Sequence, residues 1–111
     1  MKKFVVLYYS PPEAMAKMKT SSPEDMAKGQ AAWMEWFKKT GDHLVEMGEF
    51  FTQGTRITKS GSEDSSGKVT GYSIIQADSL DAAKGLLENH PHLEWHDGCS
   101  LEVYEPMEMG K

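Results

Sequence analysis

Hydrophobic side chains fill both alternating faces of residues 4–9, Phe-Val-Val-Leu-Tyr-Tyr. Successive side chains of a strand point to opposite sides, so residues 3–9 are predicted to form a strand that is covered on both sides. Three later segments, 50–58, 69–77 and 99–104, are rich in β-branched and aromatic residues and predict three more strands.

Two segments between these strands have the periodicity of helices. The run Ser-Pro-Glu-Asp at 22–25 is typical of a helix start, and Gly48 is a typical end. The predicted apolar stripe of this first helix consists of Met26, Gln30, Trp33, Phe37, Gly41 and Leu44, flanked by Met34 and Trp36. Asp78 or Ser79 begins the second predicted helix, and Pro91 ends it after His90, because the residue before a proline is pushed out of the helical region.

The resulting order, strand–helix–strand–strand–helix–strand, predicts an α+β ferredoxin-like fold over a single domain, residues 1–111. In that fold two helices cover one face of a four-stranded antiparallel sheet, and the segment 61–67 is a flexible hairpin tip. The first strand is nevertheless apolar on both sides. Since a large apolar surface usually marks an interface, we expect a homodimer packed sheet to sheet.

Composition excludes several classes of partner. The chain is 39% hydrophobic and 26% charged, which is typical of a globular protein, and its formal net charge is −5. No cluster of Lys or Arg is longer than a pair, so neither nucleic acid nor an anionic membrane is an expected partner. A lone cysteine, Cys99, fits a reducing compartment, and we expect a cytoplasmic location.

Two ionisable residues are the candidates for catalysis. His90 lies at the C-terminal end of the second predicted helix, where the helix dipole favours the protonated imidazole and the side chain can serve as general acid or base. Asp42 lies near the end of the first predicted helix, where an acid opposes the dipole; it can orient a histidine or act as a base. The alternatives are a histidine that caps exposed carbonyls and a solvated carboxylate.

The candidate substrate-binding residues are aromatic: Tyr8, Tyr72, His92 and Trp95. Tyr72 and Ser73 lie on opposite faces of their strand, so one of them at most faces a given cavity. Core or dimer packing explains these aromatic residues equally well. The spacing of His90, His92, His96 and Cys99 matches no standard zinc motif, and the chain has no glycine-rich phosphate loop. We therefore expect neither a metal nor a nucleotide cofactor.

Several stretches carry a family resemblance: residues 4–9, 41–48 (Gly-Asp-His-Leu-Val-Glu-Met-Gly), 69–75, and 78–83 leading to His90-Pro91. Together they resemble the YCII-related family of the dimeric α/β-barrel superfamily, which includes isomerases, small monooxygenases, dehalogenation enzymes and stress proteins. The resemblance implies the fold, the dimer and a His/Asp pair. One branch of that family has Asp-Gly-Pro-Phe before the third strand, whereas this chain has Asp-Ser-Ser-Gly-Lys-Val at 64–69.

Two functional hypotheses follow. The first is a cofactor-independent enzyme, of isomerase or lyase type, that acts on a small apolar, aromatic-derived or lactone-like molecule by acid–base chemistry of His90 and Asp42. The second is a non-catalytic dimeric module that binds a small molecule or a protein, in which the histidines are structural. The convergence of Asp42 and His90 on one pocket would favour the enzyme.

Overall fold

The computed structural model describes residues 1–51, 53–65 and 69–107. Within these ranges the elements are β1 (Lys2–Tyr9), α1 (Pro12–Lys19), α2 (Pro23–Thr40), a 3-10 turn (Gly41–His43), β2 (Leu44–Glu46), β3 (Thr55–Thr58), β4 (Gly61–Asp64), β5 (Val69–Ala77), α3 (Leu80–Leu86), α4 (Pro91–Trp95) and β6 (Ser100–Tyr104). No helix in these ranges is both long and apolar enough to cross a membrane.

Four strands form one antiparallel sheet in the order β2-β5-β1-β6. In the central pair, Phe4 lies opposite Ile75 and Tyr8 lies opposite Gly71. Directly opposed residues share a face of the sheet, so the register assigns every side chain of β1 and β5 to one of two faces. This strand order confirms the predicted ferredoxin-like fold.

One face of the sheet, the helix face, carries the core. Phe4, Val6, Tyr8 and Ile75 are at most 1% exposed. They pack in one cluster with residues of the helix layer, namely Trp36, Ala83 and Leu87. Each such side chain contributes roughly 1.5–3 kcal/mol by leaving water, so this cluster is the main source of stability.

The opposite face, the open face, is only half-buried in the single chain. Val5, Leu7, Tyr72 and Ile74 lie on it at the centre of the sheet. The ring of Phe51 stacks on Tyr72 with a centroid distance of 5.9 Å. The helices thus cover one side of β1, as the apolar pattern predicted. The side chains on its other side form an apolar surface that this chain leaves half-exposed.

The predicted first helix and second strand were placed wrongly. Helix α2 ends at Thr40, because Gly41 has φ +54, outside the helical region. The chain then becomes extended, and Leu44–Glu46 is the strand that pairs with β5. The predicted strand at 50–58 is replaced by a bridge from Phe50 to Gly71 and by β3 in a separate two-stranded hairpin. Thr52, in that segment, lies outside the described residues.

Two further expectations differ from the structure. Gly61–Asp64, expected as the tip of a flexible hairpin, forms β4 and pairs with β3, while residues 66 and 67 lie outside the described residues. In α2, Met26 and Gln30 of the predicted stripe are exposed, and the flanking Trp36 is buried. Every residue from 23 to 32 is exposed, so the first half of this stripe buries little surface against the described residues.

Candidate functional site

His90 lies on the helix face, where the interruption between helices α3 and α4 places it. Helix α3 ends at Leu86, and Asn89 adopts φ +57. His90 has φ −58 and ψ 138, and it is the N-cap of the short helix that begins at Pro91. The backbone N–H of His92 donates to Nδ1 of His90 over 3.0 Å, as expected for a polar cap.

This cap determines where the His90 ring carries its proton. Because Nδ1 accepts a hydrogen bond, the neutral ring holds its hydrogen on Nε2. Nε2 lies 3.3 Å from the Tyr8 hydroxyl and therefore donates to it. The Tyr8 hydroxyl in turn donates to Ser73 Oγ over 2.8 Å, and the Ser73 hydroxyl donates to the Met47 carbonyl over 2.7 Å. These four groups form a directional chain of hydrogen bonds, which we call the buried relay.

Burial keeps both ionisable members of the relay neutral at neutral pH. His90 and Ser73 are 0% exposed, and Tyr8 is 1% exposed. Burial, assisted by the nearby His92, lowers the pKa of His90 to about 3. Burial raises the pKa of Tyr8 to about 12, although the hydrogen bond with Ser73 opposes the rise.

The structure corrects the electrostatic interpretation of His90. The sequence predicted a helix C-terminus that favours the protonated imidazole, whereas His90 stands at the N-terminus of a helix, in a site that favours the neutral ring. In this arrangement Nδ1 is occupied by the His92 amide and Nε2 already carries a hydrogen. His90 is therefore a hydrogen-bond donor to Tyr8 rather than a free base.

Aromatic rings enclose the relay. Trp33 meets the His90 ring edge-on at 4.6 Å and the Tyr8 ring at 5.3 Å. Trp36 lies 4.3 Å from the His90 ring and donates from Nε1 to the Leu86 carbonyl over 3.0 Å. Trp33 and Trp36 are three residues apart on α2 and present neighbouring rings to the site.

His92 belongs to the same cluster but points elsewhere. It is 3% exposed, and its ring centroid is 5.2 Å from that of Tyr8. Its Nε2 lies 2.9 Å from the Tyr9 carbonyl and donates to it. Burial lowers the pKa of His92, while backbone hydrogen bonds with Tyr9 and Ser100 oppose the shift. Tyr8, His90 and His92 are thus three predicted site residues that the structure brings together.

Asp42 is not brought to this cluster. Its side chain is exposed, and its backbone carbonyl accepts a hydrogen bond from the Gln76 side chain over 2.7 Å. Gln76 lies opposite Lys3, whereas Gly71 lies opposite Tyr8. These positions are five residues apart along β1, or about 16 Å at the rise of a strand. Asp42 and the relay therefore stand at different ends of the sheet.

Tyr72 and Trp95 also lie away from the relay. Tyr72 is on the open face, where its hydroxyl donates to Glu46 over 2.6 Å. Trp95 is half-buried, with its ring 6.3 Å from that of His92. Among the described residues no three His, Cys, Asp or Glu side chains are grouped so as to hold a metal ion.

Ser73, Trp33, Trp36 and Phe50 join the site without having been proposed for it. Ser73 had a signal: it lies between Gly71 and Ile75 on the inward face of its strand, and a buried hydroxyl requires a partner. For Trp33 and Trp36, the signal in the sequence was only their spacing of three residues on a predicted helix. Phe50 lies 5.2 Å from Trp33, ring to ring, in a connection whose path the pattern did not predict.

No protein-family model matches the chain, and neither does any curated protein. Among solved structures, the chain is similar to 5-chloro-2-hydroxyhydroquinone dehydrochlorinase from Burkholderia phenoliruptrix, in complex with 2,5-dihydroxybenzoquinone. The TM-score is 0.56 at 16% sequence identity, and the match covers 97% of this chain and 95% of the other. The ferredoxin-like fold of this chain is thus shared with a solved enzyme over nearly its whole length.

Proposed function

We propose that this protein is a homodimeric enzyme that moves a proton on a small, oxygen-bearing, aromatic-derived molecule. Tyr8 is the acid–base group, and His90 is a positioning residue behind it. The observation that carries the proposal is the buried relay: a tyrosine hydroxyl held between a neutral imidazole donor and a serine, beneath aromatic rings.

The chemistry of the relay suits a shift of a proton within the ligand. When a ligand oxygen replaces Ser73 as the acceptor, the Tyr8 hydroxyl donates its proton to the ligand. The phenolate that forms still accepts the hydrogen bond from Nε2 of His90, in a site with little competing water. The phenolate then recovers a proton from another atom of the ligand, so that the net reaction is an isomerisation.

The class of ligand and the dimer rest on separate support. The structural neighbour acts on a chlorinated hydroxyhydroquinone and holds a dihydroxybenzoquinone, which supports a hydroxylated six-membered ring as the ligand. The resemblance of the sequence to the YCII-related family supports a place in the dimeric α/β-barrel superfamily.

The half-buried open face supports a second copy of the chain as its cover. The free, buried Cys99 supports a cytoplasmic location.

A second candidate is a non-catalytic dimeric binding module, and one observation favours it. Among the described residues, no buried side-chain nitrogen or oxygen lacks a hydrogen-bond partner. The relay also ends on a backbone carbonyl, as a purely structural network does. In this alternative His90 serves to cap its helix, and Tyr8 serves to fill the core.

Deuterium incorporation separates the two candidates. We expect the protein to catalyse exchange of ligand C–H hydrogens with deuterated water when it is given a panel of hydroxyhydroquinones and dihydroxybenzoquinones, observed by proton NMR. Tyr8→Phe, which keeps the ring and removes the proton, is expected to lower the exchange rate by about 100-fold or more. Tyr72→Phe on the open face is the matched control. Binding of a panel member without exchange would instead support the binding module.

A further inference from the structure

Phe50 combines high exposure with contact to the site. Its side chain is 63% exposed, although its ring lies 5.2 Å from Trp33 at 89° and 6.4 Å from Tyr8 at 38°. A large aromatic side chain at a position so open to water gains little from burial. The contacts nevertheless place a single planar ring against Tyr8, a member of the buried relay, and against Trp33, which covers it.

The backbone around Phe50 is held, so its side chain is the part able to move. Phe50 forms a bridge with Gly71. On either side, the Phe51 amide donates to the Thr70 carbonyl over 2.9 Å, and the Tyr72 amide donates to the Glu49 carbonyl over 3.1 Å. Rotation about the Phe50 Cα–Cβ bond therefore takes its ring away from Trp33 and Tyr8 without breaking a backbone hydrogen bond.

Because Gly71 has no side chain, the Phe50 ring can lie close to the backbone of β5. A Cβ atom at position 71 would lie 3.0 Å from Cδ1 of Phe50 and 3.4 Å from Cδ2 of Tyr8. It would also lie 2.9 Å from the Glu49 carbonyl oxygen. The missing side chain thus leaves a space that one aromatic ring fills, between the strand below and Trp33 above.

We propose that this space is the subsite for the ring of the ligand, and that the Phe50 ring occupies it in the free protein. A planar ligand with one aromatic ring displaces the Phe50 side chain outward and takes its place against Trp33 and Tyr8. The cost of the displacement is low because Phe50 is already more than half exposed, whereas Tyr8 is 1% and Trp36 is 4% exposed. The inference deepens the proposed function by defining the ring subsite, and binding there requires no turnover.

Phenol tests the subsite, because it is one ring with one hydroxyl. We expect Phe50→Ala to bind phenol about 3-fold more tightly than the wild type does, since the competing ring is gone and its displacement costs little, with binding measured by tryptophan fluorescence and calorimetry. Phe51→Ala is the matched control: Phe51 is the next residue and is 39% exposed, but it stacks on Tyr72 on the open face. It is expected to leave phenol binding at the wild-type level.

A second variant and two outcomes define the limits of the inference. Adding Gly71→Ala to Phe50→Ala places a methyl group in the space, 2.9 Å from the Glu49 carbonyl oxygen that must then shift, and should abolish the gain in affinity, with circular dichroism as the check on folding. Equal or weaker phenol binding by Phe50→Ala would overturn the subsite. If phenol binds as expected but no panel molecule undergoes deuterium exchange, the subsite stands and the proposed isomerase fails. If a panel molecule undergoes deuterium exchange but Phe50→Ala gains no affinity for phenol, the proposed isomerase stands and the subsite fails.

Discussion

Tyr8 and Tyr72 lie on neighbouring central strands, one on the helix face and one on the open face, and they show how differently the two faces treat the same side chain. Both pKa values are raised, but burial is the main cause for Tyr8, whereas the hydrogen bond with Glu46 is the main cause for Tyr72. The Tyr8 hydroxyl has neutral protein partners in a dry site. In the single chain, a hydrogen bond lost at Tyr72 is replaced by water, and one lost at Tyr8 is not.

The largest expected effect concerns the open face and the state of assembly. We expect the wild type to have twice the chain mass of 12.4 kDa in sedimentation at micromolar concentration. Ile74→Lys, at the centre of the open face, should give a folded monomer, because an unpaired charge cannot be buried against a second sheet. Ile57→Lys, on the exposed β3–β4 hairpin, is the control and should stay dimeric. A monomeric wild type would remove the dimer from the proposal.

Two adjacent isoleucines compare the faces directly. Ile75 is 0% exposed in the core, and Ile74 is half-buried on the open face. We expect Ile75→Ala to lower the free energy of unfolding by about 3 kcal/mol, because it leaves a cavity among close-packed residues. Ile74→Ala should cost clearly less in urea unfolding at low protein concentration and more as the concentration rises. Equal losses at the lowest concentration would contradict the difference between the faces.

The next effect is a dependence of stability on pH that originates in the helix face. Unfolded His90 has a pKa near 6.5, and the folded value is about 3. Between these values the unfolded chain binds a proton that the folded chain does not, so stability falls as the pH falls from 6.5 towards 3. At pH 4.5 this loss is about 2–3 kcal/mol.

His90→Asn isolates that contribution. Its side-chain oxygen can still accept from the His92 amide as an N-cap, but it does not titrate in this range. Urea unfolding at pH 7 and pH 4.5 should show a smaller loss of stability for the variant than for the wild type, by about 2–3 kcal/mol. Identical losses in the two proteins would show that His90 is protonated in the folded state.

The smallest effect concerns the hydroxyl groups of the two tyrosines. Tyr8→Phe leaves Nε2–H of His90 buried without an acceptor, and we expect it to lower the free energy of unfolding by about 1–2 kcal/mol. At a protein concentration low enough to keep the chain monomeric, Tyr72→Phe removes a hydroxyl that water can replace and should cause no measurable change. Thermal unfolding of both variants at pH 7 checks the pair, and a similar loss in both would argue against a dry site at Tyr8.

The sheet could be predicted from the sequence where its strands are long. β1 and β5 have eight and nine residues, enough for a period-two pattern to be clear, and their bounds were predicted to within one residue. β2 has three residues, too few for any pattern, and its position depends on the backbone turn at Gly41. The ferredoxin-like order was nevertheless correct, since the displaced strand kept its place in the chain.

The site was predictable in only three of its residues, Tyr8, His90 and His92, and not in its connections. His90 was proposed because it lies at the end of a predicted helix before a proline, and Tyr8 because an aromatic residue can line a pocket. The relay depends on Ser73, which reaches the Met47 carbonyl across 26 positions of sequence. It also depends on a cap that fixes the tautomer of the imidazole. The first contact has no local signal, because it is a consequence of strand register. The second is local, since His90 caps a helix that begins at Pro91, but the same proline was interpreted as the end of the preceding helix.

The hydrogen bond from the His92 amide to Nδ1 of His90 gives the molecule a built-in reporter. This amide is in a helix of five residues, and its partner is an imidazole rather than a backbone carbonyl. It can exchange with solvent hydrogen only when the His90 ring turns away, which also breaks the contact with Tyr8. The exchange rate of one backbone amide therefore measures how often the network beneath the helices opens.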